Sequence, residues 1–121
     1  MRRSLCVLVD HPPYGRLQPA EAIRHARGAL GKGWEVVLAF VGDSVYTLLP
    51  GQTPRVGEWV CLSESVTEFV CEGKERASVL VEEHSLEARA LSENDLIQGI
   101  RPASLDEIAR AMARCDRTLI F

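Results

Sequence analysis

The chain has 121 residues, a formal net charge of −3 and 46% hydrophobic residues. A chain of this length buries about two-thirds of its unfolded surface, so we expect one domain over residues 1–121. The acidic balance excludes broad, sequence-independent binding to nucleic acid, which needs a basic surface. The first apolar run is too short for a signal peptide or a membrane span, so we expect a cytoplasmic protein that does not enter a membrane.

The first third of the chain predicts a strand, a helix and a second strand. Leu5–Val9 is a continuous apolar run, which is typical of a strand that is buried on both faces. Pro19 suits the first turn of a helix, and Gly31 and Gly33 indicate where that helix stops. Trp34–Val41 is a second run with strand character. This order predicts parallel pairing, because a crossover helix joins the two strands.

A second helix is predicted in the middle of the chain, ending at Gly73. Apolar residues recur at helical spacing between Leu62 and Val70. Ser65, with Glu68 three residues later, has the spacing of a capping box, which predicts that the helix begins there. The other elements predicted between the second strand and residue 102 are a helical turn over residues 45–49, a strand over residues 77–81, a helix over residues 85–91 and a short strand near Ile100.

The last segment predicts a helix followed by a final strand over residues 118–121. Ser104 and Glu107 have capping-box spacing. One apolar stripe is predicted on the helix that follows. Strands therefore alternate with helices along the chain, which predicts an α/β fold on a parallel sheet. The members of the stripe are Leu105, Ile108, Ala109 and Met112.

Polar residues follow three of the predicted strands, at the edge where parallel α/β proteins bind their ligands. Carboxylates near a histidine can share a proton or hold a divalent metal. The alternative is a set of solvated loop residues in which Asp43 and Ser85 cap helices. The sequence contains no phosphate loop and no nucleophile elbow, so we expect no cofactor. The polar residues are Asp10, His11, Gly42, Asp43, Ser44, Glu82, Glu83, His84 and Ser85.

The four cysteines lack the spacing of a structural zinc site, and the composition does not require disulfides. Cys6 lies inside the first strand, where a thiol is usually an inert hydrophobic group. Cys115 is predicted at a helix C-terminus beside a carboxylate, which raises the pKa of the thiol. Cys61 and Cys71 flank the second helix, and each is either a reactive thiol or a packing residue.

Five segments of the chain resemble the DsrE/DsrF/TusC family of small sulfur-relay proteins, and the DsrF/TusC branch most. The resemblance covers essentially the whole chain and implies a three-layer α/β/α domain with a mostly parallel sheet of about five strands. Tyr14 and Arg89 lie in these segments, so we add them to the polar residues as candidates for the binding pocket. The segments are Pro12-Pro13-Tyr14-Gly15, Gly42-Asp43-Ser44-Val45-Tyr46, Leu48-Leu49-Pro50-Gly51-Gln52, Ser85-Leu86-Glu87-Ala88-Arg89-Ala90-Leu91 and Cys115-Asp116-Arg117-Thr118-Leu119-Ile120-Phe121.

The resemblance also implies assembly and sulfur chemistry. Proteins of this type form homo- or hetero-oligomers, as trimers or hexamers, with DsrE/TusD-like and DsrH/TusB-like subunits or sulfur carriers. Some members pass a persulfide sulfur along a relay that serves tRNA thiolation or sulfur oxidation. In this chain the loop from Pro50 to Trp59 is one candidate for the interface, and Trp59 is either an anchor for a partner or a residue that packs against the local core.

The sulfur-carrying members have a cysteine after the third main strand, and many relatives place one three residues before the Ser-Leu motif. In this chain that position is Glu82, which cannot form a persulfide. A carboxylate also disfavours a neighbouring thiolate. We therefore expect a non-carrying subunit that shapes a sulfur-relay complex. Two alternatives stay open: a sulfurtransferase that uses Cys61 or Cys71, and a small-molecule or metal pocket built from Glu82, Glu83 and His84 with Asp10 or His11.

Overall fold

The structure is a computed structural model that describes residues 2–53 and 61–121. The strands are β1 (Ser4–Val9), β2 (Glu35–Phe40), β3 (Ala77–Glu82), β4 (Ile100–Ala103) and β5 (Arg117–Ile120). The helices are α1 (Gln18–Gly31), α2 (Leu62–Gly73), α3 (Glu83–Ala88) and α4 (Leu105–Arg114). Short 3-10 segments occur at Gly42–Leu48, Lys74–Arg76 and Glu93–Asp95.

The five strands form one sheet in the order β4-β3-β2-β1-β5, and each neighbouring pair is parallel. The register of β1 and β2 runs from Ser4 opposite Glu35 to Val9 opposite Phe40. This confirms the predicted α/β fold with a parallel sheet of about five strands. Because the strands are parallel, the polar residues that follow them lie along one edge of the sheet, which we call the carboxyl edge.

Helices cover both faces of the sheet, but unequally. α1 and α2 pack on one face over the larger apolar cluster, which includes the buried residues Leu38 and Phe69. α4 packs on the other face over a smaller cluster that includes Leu80 and Ile108. The central strands are therefore buried on both faces, which explains why their sequences are continuous apolar runs.

The predicted capping box at Ser65 and Glu68 is wrong. α2 begins at Leu62, and the Ser65 N–H already donates to the Cys61 carbonyl at 3.1 Å inside the first turn. The start of the helix is instead fixed by a residue far away in sequence. The Tyr14 hydroxyl accepts a hydrogen bond from the Leu62 N–H at 3.2 Å.

The predicted capping box of the last helix is confirmed. The Ser104 Oγ accepts a hydrogen bond from the Glu107 N–H at 3.1 Å, and the Glu107 side chain bonds back to the Ser104 backbone. The predicted apolar stripe is wrong for two of its members. Leu105 and Ala109 are exposed, because α4 lies on the sheet with the side that carries Ile108.

Two further boundaries differ from the sequence prediction, and one predicted interface residue lies outside the described ranges. α3 begins at Glu83, and β5 ends at Ile120, although the Phe121 N–H still donates to the Leu8 carbonyl at 2.8 Å. Trp59, the predicted interface anchor, lies outside the described residues. Within the described ranges no helix is both long and apolar enough to cross a membrane.

Candidate functional site at the carboxyl edge

Gly42 lies at the centre of the carboxyl edge, two residues after the end of β2. Its φ of +60° is in the left-handed region, which glycine adopts more readily than other residues. A Cβ at this position would lie 3.3 Å from Asp10 Oδ1. The Gly42 N–H donates to Ser85 Oγ at 2.8 Å. At Gly42 the loop after β2 therefore meets the segments that follow β1 and β3.

Ser85 connects Gly42 to Glu82, the last residue of β3. The Ser85 side chain is 3% exposed. Its hydroxyl accepts the Gly42 N–H and donates to Glu82 Oε1. A hydrogen bond to an ionised carboxylate is stronger than one between neutral groups. This bond fixes the partly buried Glu82 carboxylate at the position where the family resemblance implies a sulfur-carrying cysteine.

Arg89 holds the loop after β2 against α3. Its Nε and Nη2 donate to Asp43 Oδ1 at 3.0 and 2.7 Å, and its Nη1 donates to the Ser85 carbonyl at 2.9 Å. The interpretation of Asp43 and Ser85 as helix caps is wrong. Asp43 lies inside the 3-10 segment Gly42–Leu48 and Ser85 lies inside α3, and neither side chain caps its own segment. Both residues instead bond across elements that are distant in sequence.

Ser44 and His11 tie together the ends of three strands. The buried Ser44 Oγ lies 2.7 Å from the carbonyl oxygens of Val9 and Val41, which can share its proton. The His11 Nδ1 lies 2.7 Å from the Phe121 carbonyl, to which a protonated Nδ1 donates. Both residues therefore make backbone contacts that join the ends of β1, β2 and β5.

The metal alternative gains no support from the geometry. Glu83 and His84 are exposed in the first turn of α3. Across residues 2–53 and 61–121, no group of three or more His, Cys, Asp or Glu side chains is placed to hold a metal ion. Tyr14 was also predicted in the pocket, and its hydroxyl contacts the first turn of α2.

Two of the four thiols are poor nucleophiles. Cys6 is fully buried in β1, and burial, with a smaller effect of Cys115, raises the pKa of the thiol to about 12. The pKa of Cys115 is also raised, as predicted, but the larger cause is burial and not the neighbouring Asp116. Neither thiol supplies a thiolate readily near neutral pH.

Cys61 and Cys71 occupy different surroundings. Cys71 is exposed in the last turn of α2. Cys61 immediately precedes α2, and its Sγ lies 3.2 Å from Ser63 Oγ and 3.7 Å from the Gln52 carbonyl. The partly buried Cys61 lines a cleft of about 120 Å³ together with Gln52, Ser63 and Ile97.

Gln52 is a contributor to this cleft that the sequence reasoning missed. Its Nε2 donates to the Leu49 carbonyl at 2.6 Å and lies 3.1 and 3.2 Å from the carbonyls of Tyr46 and Thr47. These bonds fold residues 46–52 into a compact turn beside Cys61. The only sequence signal was its place in the Leu-Leu-Pro-Gly-Gln segment, which carries no information about the residues that it contacts.

The family resemblance is confirmed by comparison with known proteins. A family model described as the DsrE/DsrF-like family matches residues 3–121. The chain belongs to this family. DsrE/DsrF-like membership agrees with the parallel sheet and with the quoted sequence segments.

Two uncharacterized proteins align with nearly the whole chain. The chain is 29% identical to the uncharacterized protein MK0008 of Methanopyrus kandleri, over 97% of this chain and 93% of the relative. It is 28% identical to the uncharacterized protein MJ0989 of Methanocaldococcus jannaschii, over 95% of this chain and 96% of the relative.

Two solved structures share the fold. The YchN protein from E. coli superposes with a TM-score of 0.85 at 23% identity, with complete coverage of both chains. MTH1491 from Methanobacterium thermoautotrophicum superposes with a TM-score of 0.78 at 15% identity, over 98% of this chain and 99% of the other. At these identities the likeness shows the α/β fold and carries no residue roles.

Proposed function

We propose that this DsrE/DsrF-like protein is a subunit of a sulfur-relay assembly that shapes the complex without carrying sulfur at the carboxyl edge. The family is generally linked to sulfur relay. The observation that carries the proposal is the Glu82 side chain, which ends β3 and is held by the Ser85 hydroxyl. A carboxylate at this position has no sulfur to form a persulfide.

The charges around Glu82 support the same conclusion. A persulfide is an anion at neutral pH, and a nearby carboxylate disfavours it by like-charge repulsion. Asp10 Oδ1 approaches Gly42, the residue that shares the Ser85 hydroxyl with Glu82. Two acidic side chains therefore lie close to the centre of the edge, so an anionic sulfur intermediate would be poorly stabilised there.

The uneven cover of the sheet supports the assembly part of the proposal. A parallel sheet of five strands is about 24 Å wide, whereas one helix covers about 10 Å. Among the described residues, α4 is the helix that packs on the second face of the sheet, and it leaves Leu8, Val41 and Met112 partly buried and Ile120 66% exposed. Parallel sheets are normally covered on both faces. We expect a related DsrE-like subunit to cover this surface, which we call the α4 face.

Native mass spectrometry with size exclusion tests the assembly. The protein is measured alone and mixed with a DsrE-like subunit that has a cysteine at the position equivalent to Glu82. We expect an oligomer in at least one of the two samples. A strict monomer in both would contradict the proposal.

A sulfurtransferase reaction at Cys61 is the second candidate, and the cleft beside that thiol is the observation that favours it. In such a reaction the Cys61 thiolate would attack the outer sulfur of a donor persulfide, forming a new S–S bond and releasing the donor thiolate. Thiol mapping by mass spectrometry after incubation with a loaded cysteine desulfurase tests it. Sulfur on Cys61 in the wild type and in a Cys71→Ser variant would support this function, and unmodified Cys61 would exclude it.

A further inference from the structure

The charges of the chain are divided between the two ends of the sheet. The first residue of each strand and the three residues before it, which we call the amino edge, carry seven basic and three acidic side chains, a net charge of +4. The corresponding segments of the carboxyl edge, from the last residue of each strand to at most three residues after it, carry five acidic side chains and neither lysine nor arginine. The amino edge is therefore a local basic surface on a protein of net charge −3. Its basic residues are Arg2, Arg3, Lys32, Lys74, Arg76, Arg114 and Arg117.

Four of these basic residues form a row across the amino edge, with one before each of four strands. Lys74, Lys32 and Arg114 each lie three residues before a strand, namely β3, β2 and β5. Arg2 lies two residues before β1. The strands β3, β2, β1 and β5 are consecutive in the sheet, and neighbouring strands are about 4.8 Å apart. The row is therefore about 14 Å long, and all four side chains are exposed.

Two of the three acidic groups of the amino edge are already engaged. A Glu35 carboxylate oxygen lies 3.7 Å from an Arg2 guanidinium nitrogen. The Asp116 carboxylate accepts hydrogen bonds from the Ser4 N–H and hydroxyl at 2.9 and 3.2 Å. Across the described residues, the members of the row that form no ion pair are Lys32, Lys74 and Arg114. The charges of these three side chains are therefore available to a partner.

The surroundings of the row favour carboxylates over nucleic acid or lipid. Proteins that bind single-stranded nucleic acid combine basic side chains with aromatic rings on which bases stack. Trp34 is the aromatic residue of the amino edge, but it is half-buried against the core, and the Arg3 guanidinium lies 5.8 Å from its ring centroid. Membrane-binding surfaces also insert apolar side chains. Within residues 2–53 and 61–121, every large, exposed hydrophobic side chain lies outside the amino edge.

The spacing of the row matches the repeat of an α-helix. Acidic residues at positions i, i+4, i+7 and i+11 lie on one side of a helix, about 5.4 Å apart along its axis. Neighbouring strands are about 4.8 Å apart, so the two repeats drift by less than about 2 Å over four strands. Flexible lysine and arginine side chains can absorb this difference. Each carboxylate on one side of such a helix can therefore approach a different strand end.

We propose that the amino edge is a docking surface for an acidic helix of a partner protein. The helix lies across the ends of β3, β2, β1 and β5, and its carboxylates pair with Lys74, Lys32 and Arg114. Each exposed ion pair is weak, so the affinity depends on the whole row. The surface lies at the opposite end of the sheet from Glu82, so the proposal does not depend on the role of the protein in sulfur relay.

Fluorescence anisotropy with two labelled peptides tests the docking surface. Both are alanine-rich helices of the same composition and, by circular dichroism, of equal helicity. One carries four glutamates on one side, and the other carries them spread around the helix. We expect the one-sided peptide to bind on the order of fivefold more tightly, because only it can pair several carboxylates with the row at once. Its affinity should fall on the order of tenfold between about 20 and 200 mM salt.

A triple variant identifies the residues that bind the peptide. Lys32→Gln, Lys74→Gln and Arg114→Gln together should weaken binding of the one-sided peptide on the order of tenfold or more, since one exposed pair contributes roughly threefold. Arg16→Gln is the matched control, because Arg16 is an exposed arginine between β1 and α1, beyond the carboxyl end of β1. It should change the affinity by less than about twofold. Equal urea midpoints of both variants and the wild type show that the fold is kept.

Three results would overturn the proposal. The first is equal affinity for the two peptides, or no binding of either, which would exclude a helix aligned with the row. The second is binding that the triple variant leaves unchanged, which would place the peptide elsewhere. The third is tighter binding of a single-stranded RNA oligomer or of phosphatidylserine vesicles at about 150 mM salt, lost in the triple variant, which would assign the surface to nucleic acid or to membrane. None of these results bears on the sulfur-relay proposal.

Discussion

Replacing Ser85 by alanine tests the hydrogen-bonded centre of the carboxyl edge. The change removes the acceptor of the Gly42 N–H and the donor to Glu82. A neutral hydrogen bond contributes about 1 kcal/mol and one to a charged group about 1.5–3 kcal/mol. Glu82 is partly exposed, so water can replace the lost donor and the lower value applies. We therefore expect the free energy of unfolding to fall by about 2–3 kcal/mol.

Urea unfolding followed by circular dichroism measures this loss. With a denaturant slope of about 2 kcal/mol per molar, the midpoint of unfolding should fall by about 1–1.5 M. Ser78→Ala is the matched control, because Ser78 is an exposed residue of the same strand as Glu82. We expect it to change the free energy of unfolding by less than about 0.5 kcal/mol.

One outcome of the urea measurement would refute this role of the Ser85 hydroxyl. If Ser85→Ala is as stable as Ser78→Ala, the hydroxyl does not hold the Glu82 carboxylate and the Gly42 loop together in solution. A partial loss can be apportioned with Glu82→Gln, which keeps an acceptor oxygen but removes the charge. If the Ser85–Glu82 bond is charge-assisted, the effects of Ser85→Ala and Glu82→Gln should be less than additive.

Three other predictions concern the thiols and the last helix. Maleimide labelling with mass spectrometry should modify Cys71 rapidly in the folded protein and leave Cys6 unmodified, because Cys6 is buried and its pKa is raised to about 12; rapid labelling of Cys6 would contradict its burial. Ser104→Ala should lower the free energy of unfolding by about 1 kcal/mol in urea, since it removes the α4 cap, and an unchanged midpoint would show that the capping box contributes nothing. The Ser104 backbone N–H and Arg101 lower the pKa of the Glu107 carboxyl. The stabilising effect of the Glu107 carboxylate is therefore present above the unfolded pKa and is lost as the pH falls through the folded pKa. Glu107→Gln should flatten the acid side of the plot of unfolding free energy against pH, and an unchanged slope there would contradict this.

The sequence predicts the parallel sheet well because the signal is local. β1 and β2 are continuous apolar runs, and the box at Ser104 and Glu107 requires only residues within one helical turn. The same pattern failed at Ser65 and Glu68. The start of α2 depends on Tyr14, whose hydroxyl bonds to the helix from far away in sequence. Spacing alone cannot reveal a contact of this kind.

The candidate site, like the fold, can be predicted from the sequence only in part. Parallel strands bring their carboxyl ends to one edge, so the sequence predicts which segments meet there. It does not predict which side chains bond to one another. Asp43 and Ser85 have the composition of helix caps, but Arg89 and Gly42 bind them instead, and these partners belong to other elements. Long-range pairings depend on the packed structure, which a single sequence does not encode in its spacing.

We propose that this protein assembles with sulfur-carrying relatives and does not itself carry sulfur. The most direct test is peptide-level mass spectrometry of the protein reconstituted with a cysteine-bearing DsrE-like subunit and a loaded cysteine desulfurase. We predict a complex in which sulfur is found on the partner and none of the four cysteines of this chain is modified. Sulfur on Cys61 or Cys71, or no complex at all, would contradict the claim.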